Sequence, residues 1–150
     1  MSYTTGGSIE LLKSGSGQTT NAAAENVDTV AISGLTAVDR LLIIVAWEAV
    51  TQQTASVKIT DDGVADLINA VTVAAGGNFT QLGIITRRQG STTEFQTITA
   101  AFNVVTDVGG ANGGTMSTWT GSWTLALRHG GVTAGGTGKW TWSVYKLKGQ

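Results

Sequence analysis

Residues 29–50 read TVAISGLTAVDRLLIIVAWEAV, and the fold turns on how this stretch is taken. Its second half, Leu41-Leu42-Ile43-Ile44-Val45-Ala46-Trp47, is the longest unbroken apolar run of the chain. A membrane-spanning helix needs roughly 20 apolar residues, so this run is too short to cross a bilayer. It is rich in β-branched residues and follows a turn-like Ser33-Gly34-Leu35-Thr36, which marks it as a strand. A half-exposed antiparallel strand alternates apolar with polar residues. Here Leu41, Ile43 and Val45 are apolar, and so are Leu42, Ile44 and Ala46 between them. The expectation is a central strand buried on both faces. One face meets the core, and the other meets another sheet, a loop or another subunit. Val30 and Ile32 point inward from the strand before it.

Working outward, residues 8–13 alternate as an edge strand, and the SGSGQ of 14–18 reads as a flexible loop. Ala22-Ala23-Ala24 suits one helical turn, too short to stand alone. Strands follow at 27–33, 40–50 and, after a polar 51–54 turn, 55–60. Segment 61–75 is ambiguous. Val64, Leu67, Ile68 and Val71 fit helical spacing, but Val71-Thr72-Val73 is β-branched, so a turn leading into a strand is favoured. Residues 79–89 and 93–105 form a long hairpin. DVGGANGGT at 107–115 reads as a glycine-rich loop, as does 130–138, and strands at 122–128 and 139–148 close the chain. The fold expected is all-β: an antiparallel, jelly-roll-like β-sandwich of about eight or nine strands joined by glycine-rich loops. It occupies residues 8–150 as a single domain behind a flexible arm, 1–7.

A chain of 150 residues fits one sizeable core. Nine Lys and Arg stand against ten Asp and Glu, with no basic stripe to neutralise a nucleic-acid backbone, so no nucleic-acid partner is expected. Charged residues make up only 13%, and Thr, Ser, Asn, Gln and Gly must keep the surface wet. Cysteine is absent, which removes disulfides and Cys-ligated metals. The N-terminus has neither the basic start nor the apolar core of a signal peptide.

No catalytic, cofactor or metal site can be assembled from the sequence. His129 is the only histidine, and with no placed nucleophile a structural role is favoured. Asp61, Asp62 and Asp66 lack the spacing of a calcium loop and suit a cap or a solvated turn. Glu48, at the end of the central strand, faces solvent or pairs with a base such as Arg40. The glycine runs lack a P-loop ending. Arg87 and Arg88 are adjacent on a strand and point to opposite faces, so they make no patch. The tryptophans are the sharpest feature. Exposed Trp119, Trp140 and Trp142 would stack on sugar rings; the weightier reading places tryptophan in the core or an interface. Trp119, Trp140 and Trp142 join Leu42 and Ile44, on the second face of the central strand, as candidate interface residues. Tyr3, Thr4 and Thr5 are a candidate partner-binding arm.

The Gly/Thr-rich β composition, the lack of Cys, the loose N-terminal arm and units such as AISGLTAVDRLLIIVAWEA and WTLALRHGGVTAGGTGKWTWSVYKLK resemble small virion structural proteins of tailed bacteriophages. Capsid decoration (cement) proteins and related jelly-roll head or tail modules are the nearest in style. The resemblance implies a non-enzymatic protein, made in the host cytoplasm and placed on the virion surface. There it sits as a homotrimer and clamps neighbouring copies of the major capsid protein, with no membrane involved. Two rivals remain: a carbohydrate- or receptor-binding β-sandwich of a tail fibre, using exposed Trp, and a hydrolase using acidic residues with His129.

Overall fold

The computed structural model describes residues 7–49, 55–61, 65–73, 78–91, 94–103, 107–115, 118–130 and 136–149. These hold ten strands and no helix: β1 (Ile9–Thr19), β2 (Glu25–Ile32), β3 (Arg40–Ala49), β4 (Ala55–Asp61), β5 (Ala65–Val73), β6 (Asn78–Arg87), β7 (Glu94–Asn103), β8 (Asp107–Thr115), β9 (Trp123–His129) and β10 (Gly138–Leu147). They form a six-stranded sheet, β1-β10-β3-β6-β7-β8, and a four-stranded sheet, β2-β9-β4-β5. Every pairing is antiparallel. The pairs nest. β1 pairs with β10, β2 with β9, β3 with β6 and β4 with β5, as if one long hairpin had been rolled up. The β7–β8 hairpin is inserted on the returning arm and widens the larger sheet.

The strand count exceeds the eight or nine expected, because DVGGANGGT is a strand and not a loop. β8 pairs along its length with β7, Thr115 opposite Glu94 and Asp107 opposite Phe102. SGSGQ is likewise no loop, since β1 runs through it to Thr19 against β10. Inward-facing Gly15 and Gly17 leave room there. A Cβ on Gly17 would lie 2.6 Å from Trp140 Cζ2, and one on Gly15 would lie 2.7 Å from Asp28 Oδ2. Residues 20–24 make a bend and not a helical turn. The Asn21 N–H donates to Thr19 Oγ1, and the Ala23 N–H to Asn21 Oδ1, local bonds that compete with helix. Segment 65–73 is a strand, as favoured. The arm with Tyr3, Thr4 and Thr5, the 51–54 turn, Asp62 and residues 131–135 lie outside the described residues.

The two sheets share one apolar core. Leu41, Ile43, Val45 and Trp47 of β3 and Trp140, Trp142 and Val144 of β10 meet Val30 and Ile32 of β2, Leu125 and Leu127 of β9 and Leu67 of β5. β3 is a correction to the expectation of burial on both faces. One side is fully covered, while Leu42 and Ile44 are only half-buried and Ala46 is exposed. Among the described residues the second face of this strand is covered only in part.

Candidate functional site

The pleat sends alternate residues of each strand to opposite faces, and register then sets outward residues of neighbouring strands side by side. Across the larger sheet this aligns Leu11 with Tyr145, Tyr145 with Leu42, Leu42 with Ile84 and Ile84 with Ile98. Five apolar or aromatic side chains from five strands thus form one ridge, perpendicular to the strands, on the solvent side. Leu11 is 53% and Ile98 69% exposed. The next row is Ser14, Ser143, Ile44, Leu82 and Ala100. Beyond it lies a row that is small on four strands, Ser16, Thr141, Ala46 and Thr80, and continues on β7 with Phe102. These small residues, with Gln18, Glu48 and Lys139, line a groove of about 590 Å3.

Midway along β6 and β7 the usual polarity is inverted, although Ile85 and Phe95 still face the core. Gln81 and Thr97 face the core, while Leu82, Ile84 and Ile98 face out. A sheet face meant for water would carry polar residues at these positions. Contiguous exposed apolar area of this kind marks an interaction surface. Among the described residues its charges sit at the margins, with Arg40 at one end of β3 and Glu48 at the other, beside Lys139.

Of the residues singled out from the sequence, Leu42 and Ile44 are brought together on this face. Tyr145, Ile84, Ile98 and Leu11 belong with them and were missed. Alternation marks such residues as sharing a side, but only register shows that the sides join. Trp119, Trp140 and Trp142 are corrections, being 0%, 7% and 2% exposed and part of the core. For Trp140 and Trp142, read as core or interface, and for Trp119, whose loop-like setting left exposure and burial evenly matched, the structure has the core. The Trp119 indole N–H donates to Thr36 O at 2.9 Å, and that of Trp142 to Asp28 Oδ2 at 2.8 Å. Trp119 and Trp142 are fully enclosed, and Trp140 borders the groove with little of its surface exposed.

His129 is 1% exposed and its ring centroid lies 5.6 Å from that of Trp47. Burial pushes its pKa down, against the pull of the Glu25 charge. Glu25 is itself held below the usual carboxylate range by hydrogen bonds from Thr19 and Asn21. Among the described residues no three His, Cys, Asp or Glu side chains are grouped to hold a metal ion. Glu48 does not pair with Arg40, since eight residues of extended strand hold the two about 27 Å apart.

The remaining buried charges fasten the chain to itself. Asp39 accepts from the Thr36 N–H at 2.7 Å and the Gly149 N–H at 3.0 Å, with Lys146 Nζ 3.5 Å away. Burial pushes the Asp39 carboxyl up, but these hydrogen bonds and the lysine charge outweigh it and hold the pKa low. Asp28 follows the same balance: burial raises its pKa, and Trp142, Thr29 and Lys13 together lower it further. Both groups act as staples between loop and strand.

No family model matches the chain, and no curated protein matches it. No helix among the described residues is long and apolar enough to cross a membrane.

Proposed function

We propose that this chain is a non-enzymatic structural subunit, a virion decoration or shell protein that works by burying surface against other protein. The observation that carries the reading is the apolar ridge across the outer face of the six-stranded sheet. A folded strand pair exposes such a face only at a cost in solubility, and covering it recovers about 25 cal/mol for each Å2 of apolar surface. The nested pairing fits a jelly roll with one added hairpin, the topology of two wound Greek keys that many viral shell proteins use. Low charge content and a thread of Thr, Ser and Gly suit a surface that packs against neighbours.

The partners proposed are further copies of the chain and the major capsid protein. Co-sedimentation tests this. The full chain, added to shells of the encoding phage that lack it, binds stoichiometrically and raises the temperature at which they open. Shells that neither bind it nor gain stability overturn the reading. The sugar-binding alternative loses its basis with the three tryptophans in the core, and glycans are expected to leave tryptophan emission unchanged.

A further inference from the structure

We propose that two copies of the chain pack the outer faces of their larger sheets together, about a two-fold axis running across the strands along the row of Ser14, Ser143, Ile44, Leu82 and Ala100. The inference rests on reading that face as an assembly surface, and it names the occupant: a second copy.

Three features of the face are self-complementary about this row. The first is shape. Two residues to one side of the axis stand the large side chains Tyr145, Leu42 and Ile84, joined by Leu11, which is three residues from Ser14 across the β1 register shift. Two residues to the other side, on the same four strands, stand the small ones Ser16, Thr141, Ala46 and Thr80, which line the groove of about 590 Å3. A two-fold along the central row exchanges the two sides. On β3 and β6 the ridge of each copy then lies over the groove of the other, Leu42 on Ala46 and Ile84 on Thr80, while Ile44 meets its own counterpart and, on β7, the register position of Ile98 falls opposite that of Phe102. An isologous interface requires this self-match.

The second feature is charge. On β3, Arg40 and Glu48 lie four residues either side of Ile44. Among the described residues neither has an ion-pair partner. The axis sets Arg40 of each copy against Glu48 of the other, making two equivalent pairs, while Lys139 falls opposite Leu147. The third is area. Six strands at about 4.8 Å spacing and some ten residues of length give a face of about 750 Å2. A standard protein interface buries about 800 Å2 per partner.

Sedimentation of the full chain from 1 to 100 µM, values chosen to span roughly the affinities of standard interfaces, is the test. The expected particle has the mass of two chains. A one-chain mass at the top of the range overturns the proposal, and so does the three-chain mass that a decoration trimer would give. Arg40→Glu sets two carboxylates opposite each other, as like charges across an interface, and is expected to weaken pairing at least about tenfold. Glu48→Arg does the same with two guanidinium groups. The double swap Arg40→Glu/Glu48→Arg restores pairing to near the starting affinity. A dimer indifferent to the single changes, or not rescued by the double one, overturns the proposed docking. Ala46→Trp fills the groove from an exposed position and leaves the core untouched. It abolishes pairing while far-UV circular dichroism stays unchanged; a dimer that survives it also overturns the docking. Shell binding is read separately. A monomer that still binds shells removes this inference alone, and a dimer that binds none removes the functional reading alone.

Discussion

Gly15 and Gly17 stand across from Trp142 and Trp140 in the β1–β10 register; a Cβ at Gly17 would press on the Trp140 indole, and one at Gly15 on the Asp28 carboxylate and then the Trp142 indole. Two glycines spaced by one residue, opposite two tryptophans spaced by one residue, are the two halves of one packing solution. Gly17→Ala forces the Trp140 ring to shift, and a loss of about 1–3 kcal/mol in stability is expected from such overpacking. Ser16→Ala, on the outer side, should stay within about 0.5 kcal/mol. Urea unfolding of the two variants checks the contrast. His129 carries a prediction about pH. Its folded pKa lies below the ordinary value, so the unfolded chain takes up the proton first as pH falls. Its contribution is whole above about pH 6.5 and is lost as pH drops toward the folded pKa. Asp28, Asp39 and Glu25 are also depressed, and their contributions are whole above about pH 4 and are lost below it. Thermal melts across pH should therefore show two steps of acid destabilisation. In His129→Gln the upper step should vanish and the lower one remain.

At the scale of elements, turn 33–39 and the C-terminal end of β10 hold each other through Asp39. Lys146 donates to Gly34 O at 2.6 Å, Trp119 closes over Thr36 O, and Asp39 gathers the two N–H groups and the lysine. Asp39→Ala leaves two N–H donors without their acceptor and a nearly buried ammonium without its counter-charge, held by Gly34 O alone. Loss of one partner of a buried pair costs about 3 kcal/mol or more. Asp39→Asn, which keeps an acceptor oxygen, should cost less, and denaturant midpoints will order the two. Strand legibility follows the same physics. β3, β9 and β10 could be read from the sequence because their inward residues are large and apolar and must sit together. β8 could not, because a nine-residue strand in which five positions are Gly or Ala, held by its neighbour's backbone, carries no side-chain period to detect. On β6 and β7 the period was plain but its direction was not. Alternation says that Leu82 and Ile84 share a side; it does not say which side the core lies on. The candidate face was therefore half visible, through Leu42 and Ile44, and completed only by register. The tryptophans were ambiguous for a related reason, since a large ring on a strand suits a core and an interface equally.

The whole molecule is wound so that its first and last strands are partners. Ile9 lies opposite Leu147, and the Lys148 N–H donates to Ser8 O at 3.0 Å. The innermost pair of the winding, β4 with β5, is local in sequence, and each layer outward joins more distant segments until β1 meets β10. Closing such distant pairs costs chain entropy before their contacts form, and folds dominated by them take milliseconds to seconds. Tryptophan emission should report refolding on that scale, because the rings in β3, β9 and β10 are covered only when both sheets close. The same geometry makes the order of the strands separable from the order of the chain. A short glycine-serine linker from Lys148 to Ser8 turns β1 and β10 into an ordinary hairpin. New ends can then be cut at the exposed turn around Gly90, whose φ of 83° and outward position leave no core contact to lose. This permutant should keep the β spectrum and a cooperative melt, because every sheet pairing survives the cut. If the β6–β7 connection is instead what nucleates the winding, the permutant will reach the same fold more slowly than the parent. Stopped-flow refolding of the two chains, compared at equal stability, decides whether that hairpin or the joined β1–β10 pair sets the rate.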